Sequence, residues 1–213
     1  QEAGDAALQA KTLERAQAYY QTLREATPRK AFLHMEIAAT LARRGFPNAS
    51  LAAWLAVQET IGGALKHRVV VWRQIATLQE EIGDLDAAEA TWREGLKTLS
   101  STHWARPAFL EGLVSVYRRR DALATLITEL EAGRVTDRST QLTLAHLQEE
   151  LGRDNLARAW LEKALAKNGR DVATRLRLIR VLERTGPAEA LLSQHEALVK
   201  VARGEPRYEL NLA

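Results

Sequence analysis

Apolar residues recur at helical spacing along the chain, in pairs of segments that are separated by a short polar turn. In one such segment, Leu147, Gln148 and Leu151 follow Leu144 by three, four and seven residues. Side chains at these offsets lie on one face of an α-helix. The pattern therefore predicts an amphipathic helix whose apolar face must be covered by a neighbouring element.

The same pattern occurs twice without gaps. Segment 69–83 aligns with segment 138–152, and each is followed by a charged turn and a second apolar stretch. Ala76 and Ala145 occupy the same position in the two copies, where a small residue allows two helices to approach closely. The repeated pattern predicts a helix, a glycine turn and a second helix, with Trp92 filling a gap in the packing.

Glycines mark the turn between the two helices of each predicted pair. Gly45, Gly83, Gly152 and Gly186 occupy this place, and Asp121 stands where a glycine is missing. Successive turns lie 38, 38, 31 and 34 residues apart. A residue just after a helix end commonly adopts the left-handed conformation, which is free of strain for glycine. We therefore expect a left-handed conformation at each of the five turns, and Asp121, which is not a glycine, is predicted to be the weakest turn of the array.

The segment from Val69 to Ser100 resembles a tetratricopeptide repeat (TPR), a family with about 34 residues per unit and spaced Trp, Gly, Ala and aromatic positions. The matching residues are Trp72, Ile75-Ala76, Gly83-Asp84, Ala88, Trp92 and Leu96. A second unit, 138–169, matches well, and a third, 31–66, keeps several of these positions but has Phe46-Pro47 in the turn. The units 107–136 and 172–203 are degenerate. The resemblance implies an all-α fold, an α-solenoid in which antiparallel helix pairs form a right-handed superhelix lined by the first helices.

The repeats divide the whole chain. We expect one TPR-like array over 1–213, with units at 31–66, 69–103, 107–136, 138–170 and 172–204, a partial unit at 1–28 and a truncated unit at 206–213. Within the partial unit, Thr12 to Ala26 is predicted to be a second helix, and Pro206 is predicted to open another first helix. The array is expected to be a fragment of a longer protein.

Composition supports this fold class and excludes several functions. Five Pro and 12 Gly among 213 residues are too few for a loop-rich all-β protein. A net charge of +3 is too small to neutralise many phosphates, so we expect no nucleic-acid partner. There is no cysteine for a disulfide or a thiolate, and no apolar run approaches the roughly 20 residues of a membrane span.

Catalytic and metal-binding motifs are missing from the sequence, which predicts a protein that is not an enzyme and has no cofactor and no metal site. The five histidines occur singly and are interpreted as packed or solvated side chains. The adjacent glutamates Glu80-Glu81 and Glu149-Glu150 are interpreted as solvated helix ends, because neighbours on a helix point about 100° apart. Arg118-Arg119-Arg120 is either an anion site or a helix end that pairs with Glu111 or Glu183.

The resemblance also implies which residues bind a partner, because TPR proteins hold ligands mainly with first-helix side chains. Mapped onto this chain, the candidates in the concave groove are Phe32, Met35, Arg73, Thr77, Glu111, Ser115, Arg118, His146 and Arg180. These residues do not reproduce the set of lysine, asparagine and arginine residues with which some TPR proteins clamp the carboxylate tail of heat-shock chaperones. We therefore predict no binding of that type.

The predicted function is a non-enzymatic scaffold that binds a peptide or partner protein in the concave groove. One alternative is a periplasmic TPR segment of a bacterial exopolysaccharide secretion or outer-membrane assembly protein, with the polysaccharide-secretion machinery as partner. An excess of Arg over Lys and the N-terminal Gln1 favour a bacterial source and the periplasm over the cytoplasm. A second alternative is self-association through unpaired terminal helices.

Overall fold

The computed structural model describes residues 2–27, 30–62, 64–133 and 135–201, which form helices and turns and contain no β-strand. The helices are α1 (Glu2–Ala26), α2 (Ala31–Arg43), α3 (Pro47–Thr60), α4 (Leu65–Glu81), α5 (Leu85–Thr98), α6 (Arg106–Arg119), α7 (Leu123–Ala132), α8 (Arg138–Glu150), α9 (Asp154–Lys167), α10 (Val172–Thr185) and α11 (Ala188–Val201).

The chain divides into two compact units, unit 1 (Gln1–Thr98) and unit 2 (Leu99–Ala213). In unit 1, α2 packs against α3 and α4 against α5; in unit 2, α6 packs against α7, α8 against α9 and α10 against α11. Each first helix is joined to its second helix by a short turn, which makes the pair antiparallel. The predicted fold class, an all-α solenoid of helix pairs, is confirmed.

Each unit has an apolar core between its helices. In unit 1 the core includes Trp54 and Ile75, and in unit 2 it includes Leu161 and Leu178. Ala38, Ala76 and Ala145, which stand at equivalent places in three first helices, are completely buried. Trp92 is buried as well. The burial of these small residues and of Trp92 agrees with the predicted packing of first against second helices.

The turns follow the prediction at four of five positions. Gly45, Gly83 and Gly152 have φ angles of 80°, 87° and 69°, and Asp121 has a φ of 53°. The prediction is wrong for Gly186, which has φ −93° and ψ 156°. Pro187 follows it, and a residue before proline is held in extended conformations. Glycine is needed there for space instead, because an added Cβ would lie 2.5 Å from Leu182 Cδ2.

The N-terminal part of the chain also follows the predicted pattern. The second helix expected over 12–26 lies within α1, and Tyr20 of α1 is buried against the core of unit 1. The first helix expected from Pro206 lies outside the described residues. Of the helices that are described, none is both long and apolar enough to cross a membrane.

Candidate functional site

The first helices of unit 2 enclose a surface hollow of about 300 Å³, which we call the unit 2 groove. It is lined by Pro107, Glu111, Val114 and Arg118 of α6, by Arg138, Ser139, Leu142, Thr143 and His146 of α8, and by Arg177 of α10. Three successive first helices therefore contribute side chains to one site.

Helical spacing explains why these residues share a face. On α6, Val114 and Arg118 follow Glu111 by three and seven residues, which stacks the three side chains along one stripe. On α8, Leu142 and His146 are spaced four residues apart in the same way. Most of the groove lining therefore comes from one face each of α6 and α8, and Arg177 of α10 completes it.

An N-cap fixes where α8 begins. Asp137 precedes the helix, and its carboxylate accepts a hydrogen bond from the backbone N–H of Thr140 at 2.8 Å. Asp171 precedes α10 and caps it through the backbone N–H of Thr174 in the same way. Such caps satisfy backbone donors that the first turn leaves free. They set the position of Arg138 on α8 and of Arg177 on α10.

The N-cap carboxylates also pair with arginines of the preceding first helix. Arg106 Nε of α6 lies 3.3 Å from Asp137 Oδ1, and Arg138 of α8 pairs with Asp171. Arg138 Nη2 additionally donates to Thr174 Oγ1 at 3.1 Å. The same arrangement thus occurs twice, and it ties the start of each first helix to the start of the next.

Two further ion pairs meet at the C-terminal end of α8. Arg118 donates from Nε and Nη2 to the two oxygens of Glu150, at 2.8 and 2.7 Å. This hydrogen-bonded pairing lowers the pKa of Glu150 and raises the pKa of Arg118. Arg177 Nε of α10 donates to Glu149 Oε1 at 2.8 Å. The adjacent glutamates therefore turn to opposite sides, one towards α6 and one towards α10.

These pairs correct two interpretations from the sequence. Glu149 and Glu150 are not simply solvated helix ends, because each accepts a hydrogen bond from an arginine of another first helix. Arg118 pairs with Glu150, whereas the sequence offered Glu111 or Glu183 as its partner; Glu111 adds a weaker attraction. The correct partners lie more than twenty residues away in sequence, where spacing within a single helix gives no signal.

Three of the predicted site residues of unit 2 meet in the groove: Glu111, Arg118 and His146. Ser115 is half-buried on α6, and Arg180 is exposed on α10; both lie outside the groove lining. The sequence mapping missed two arginines that line the groove, Arg138 and Arg177. Arg138 is the first residue of its unit and Arg177 is the sixth residue of its unit. In TPR proteins, neither position is among those that mainly hold ligands.

The predicted residues of unit 1 lie on α2 and α4 and have a different character. Phe32 is 64% exposed and packs edge-to-face on His67, with 5.1 Å between the ring centroids. Met35 is half-buried against the core of unit 1, and Arg73 and Thr77 are exposed on α4. A shallow hollow of about 490 Å³ lies beside Phe32, and its other lining residues are Lys30, Ala31, Leu33, Ile61 and His67.

Two buried polar side chains outside the groove, His34 and Arg175, are held by hydrogen bonds, although His34 Nδ1 and Arg175 Nε have no partner among the described residues. His34 is buried, and its Nε2 lies 2.9 Å from the carbonyl oxygen of Thr27, so the N–H is on Nε2. Arg175 is buried as well and donates to Gln194 Oε1 and to the carbonyl oxygen of Gly169. Among the residues that the structure describes, no three histidine, aspartate or glutamate side chains are grouped so that they could hold a metal ion.

Comparison with solved structures identifies the fold. The C-terminal part of a TPR repeat-containing protein from Cytophaga hutchinsonii superimposes with a TM-score of 0.55 at 12% identity, covering 94% of this chain and 78% of that chain. The MamA protein superimposes with a TM-score of 0.51 at 15% identity, covering 86% and 97% of the two chains. No family model matches the chain, and no curated protein matches it in sequence. The chain has the fold of TPR proteins, as the sequence predicted.

Proposed function

We propose that the chain is a non-enzymatic scaffold for protein–protein interaction, and that it holds a peptide or an extended segment of a partner with its first-helix side chains. The unit 2 groove is the observation that supports this proposal. Three helices line it jointly, and its volume of about 300 Å³ is at the lower end of the range for ligand sites. A hollow lined by side chains of three successive first helices offers contacts to several residues of a chain-like ligand at once.

The composition of the groove is that of a protein-binding surface. Val114 and Leu142 supply apolar contact, and Arg118 and Arg177 stand beside them. Arginine is enriched in protein interfaces, whose centres are apolar and whose rims are polar. The ion pairs hold the arginine side chains in place before a ligand arrives, so that less conformational entropy is lost on binding.

The carboxylate that pairs with the groove arginine Arg118 is poorly suited to acid–base catalysis. Glu150 is bound by Arg118, and this holds the pKa of the carboxyl below its ordinary range. A carboxylate that stays ionised near neutral pH neither donates a proton nor takes one up easily. The arrangement favours a role in binding, and it supports the proposal that the chain is not an enzyme.

Site-specific photo-crosslinking tests the proposed function. A photo-reactive amino acid is placed at His146, which lines the groove, and at Ala166, which is exposed on the second helix α9. We expect a defined partner to be crosslinked from position 146 and to escape crosslinking from position 166. Crosslinks of equal yield from both positions, or none from position 146 at any lysate concentration, would contradict the proposal.

A charge-reversal pair gives an independent check. Arg177→Glu removes a groove arginine, whereas Lys167→Glu reverses an exposed charge at the end of α9. The first variant is expected to lose the crosslinked partner and the second to keep it. The alternatives of a periplasmic secretion segment and of a self-associating scaffold stay predictions.

A further inference from the structure

We infer that the unit 2 groove selects an acidic segment of its partner, in which a carboxylate lies next to an apolar side chain. The inference builds on the proposed function, since it names the chemistry of the ligand for the same groove. It is carried by the charge distribution among the helices of unit 2 and by the hydrogen-bond donors that the groove arginines leave unused.

Positive charge in unit 2 is concentrated on first helices. The first helices α6, α8 and α10 together contain eight arginines and four glutamates. The second helices α7, α9 and α11 together contain one arginine, three lysines, one aspartate and five glutamates. The face that carries the groove is therefore electropositive relative to the face formed by second helices, and such a surface steers anionic ligands towards it.

The groove lining itself has the same bias. Three arginines, Arg118, Arg138 and Arg177, line it, and Glu111 is the one acidic side chain of that lining. The carboxylates that pair with the arginines, Glu149, Glu150 and Asp171, are outside the lining. A ligand in the groove thus meets the guanidinium groups, whereas the paired carboxylates are not part of the lining.

Each groove arginine keeps donors that its ion pair does not use. A guanidinium has five N–H donors in a planar fork. Arg177 bonds Glu149 through Nε alone, which leaves both terminal nitrogens without a hydrogen-bond partner among the described residues. Arg118 bonds Glu150 through Nε and Nη2, and its Nη1 is left. These nitrogens are suited to a carboxylate, which accepts hydrogen bonds from arginine in a bidentate manner.

Arg138 adds a third guanidinium to the lining, at the start of α8. Its Nη2 is engaged with Asp171 and Thr174, and its Nη1 makes no hydrogen bond among the described residues. A ligand oxygen in the groove would offer Nη1 an acceptor.

The apolar residues of the groove and the exposed Arg180 indicate what should flank the carboxylate in the ligand. Val114 and the half-buried Leu142 also line the groove, so an apolar side chain fits beside the carboxylate. Arg180, exposed on α10, makes no ion pair among the described residues and adds uncompensated positive charge to the same helix as Arg177. A lysine-rich segment would be repelled by this charge and would leave the arginine donors unused.

Fluorescence anisotropy with short labelled peptides tests the inference on the full chain. Three peptides of equal length alternate leucine with glutamate, glutamine or lysine. A fourth carries glutamine with a single free C-terminal carboxylate, which separates a chain end from acidic side chains as the source of the anion. We expect the glutamate peptide to bind about tenfold more tightly than the glutamine peptide, and the lysine peptide not to bind.

Matched variants assign the binding to the groove. Arg180→Glu breaks no ion pair of the described residues, so it is expected to keep the fold and to weaken binding of the glutamate peptide several-fold. Arg177→Glu is expected to weaken it more, and Lys167→Glu to leave it unchanged. Circular dichroism and thermal melting verify that each variant is folded.

The outcomes separate the inference from the proposed function. Equal affinity for the glutamate and glutamine peptides, lost in the groove variants, overturns the acidic preference and leaves the groove as a binding site. Tighter binding of the lysine peptide also overturns the inference. If the groove variants bind the glutamate peptide as tightly as the unmodified chain, the inference is wrong. If position 146 also captures no partner, the proposed function fails as well.

Discussion

The first-helix surfaces of the two units differ in chemistry although they are built on the same helix pairs. In unit 1, α2 presents Phe32 and Leu33 to solvent, and α4 presents Val70. In unit 2, the corresponding helices carry the three arginines that line the groove, Arg118, Arg138 and Arg177. Their side chains are 48%, 39% and 26% exposed. One helix-pair framework thus presents large apolar side chains beside charged ones such as Arg73 in unit 1, and a cationic, hydrogen-bonded surface in unit 2.

The cores do not show this difference. Ile75 of unit 1 and Leu144 of unit 2 are aligned in sequence, and their exposed fractions are 1% and 0%. Thr77 and His146 are aligned two positions further on and are exposed in both units. The comparison teaches that buried positions specify the helix pair, whereas exposed first-helix positions are free to specify the ligand.

The largest expected effect concerns the shared core. Ile75→Ala and Leu144→Ala should each lower the free energy of unfolding by about 2–5 kcal/mol, because each deletes buried methyl groups and leaves a cavity. Chemical denaturation monitored by circular dichroism measures both. The exposed controls Thr77→Ala and His146→Ala should stay within about 0.5 kcal/mol of the unmodified chain. A strong loss in one unit and none in the other would show that the cores differ after all.

The next effect concerns the charged surface. Binding of the glutamate peptide should weaken markedly when salt is raised from about 0.1 M to about 1 M, because the screening length falls from about 10 Å to about 3 Å. Arg73→Glu, which reverses a charge on α4 of unit 1, should leave the affinity within about twofold. A salt-independent affinity, or a large loss in Arg73→Glu, would place the binding surface elsewhere than in unit 2.

A smaller effect is expected on the stability of the fold when the pH is lowered. The pKa of Glu150 is lowered in the folded state, mainly by the hydrogen bond from Arg118. The stabilisation is therefore present above the ordinary pKa of glutamate and is lost as the pH falls through the lowered value. Because the pair is partly exposed, its contribution is at most about 1 kcal/mol.

Thermal melting between neutral and acidic pH measures this contribution. Glu150→Gln should melt lower than the unmodified chain at neutral pH and should lose less stability on acidification. Glu81→Gln is the matched control, since Glu81 is aligned with Glu150, is exposed and makes no ion pair among the described residues. Identical pH profiles for Glu150→Gln and the unmodified chain would show that the pair adds nothing to stability.

The smallest effect concerns Phe32 of unit 1. Phe32→Ser should change the free energy of unfolding by no more than about 0.5 kcal/mol, because the ring is largely exposed. The same variant should bind less of a dye that fluoresces on apolar surfaces. A stability loss well above that range would show that the ring is packed rather than presented to solvent.

The sequence predicts much of the fold and part of the site, and the particular residues show why. Helical periodicity and the glycine spacing locate the helix pairs, and even the left-handed turn at Asp121 follows from its place in the repeat. Gly186 is not left-handed, because the proline that follows it restricts its backbone to extended conformations. The pattern shared by the repeats does not include this proline and so does not predict its effect.

Arg138 and Arg177 were missed because their importance arises between repeats. Arg138 pairs with a residue 33 positions later, and Arg177 with one 28 positions earlier. Position within a single repeat gives no information on such pairs. One sequence signal could have revealed Arg138. An arginine near the start of a first helix is followed by an N-cap aspartate before the next first helix, and this combination occurs twice, as Arg106 with Asp137 and as Arg138 with Asp171.

Mapping of amide chemical-shift changes tests most directly the claim that unit 2 binds its ligand with first-helix side chains. Two-dimensional NMR spectra of the isotope-labelled chain are recorded with and without the glutamate peptide. The account predicts that the shifts change on α6, α8 and α10, around Glu111, Leu142 and Arg177. Changes confined to the second helices α7, α9 and α11, or to unit 1, would contradict it.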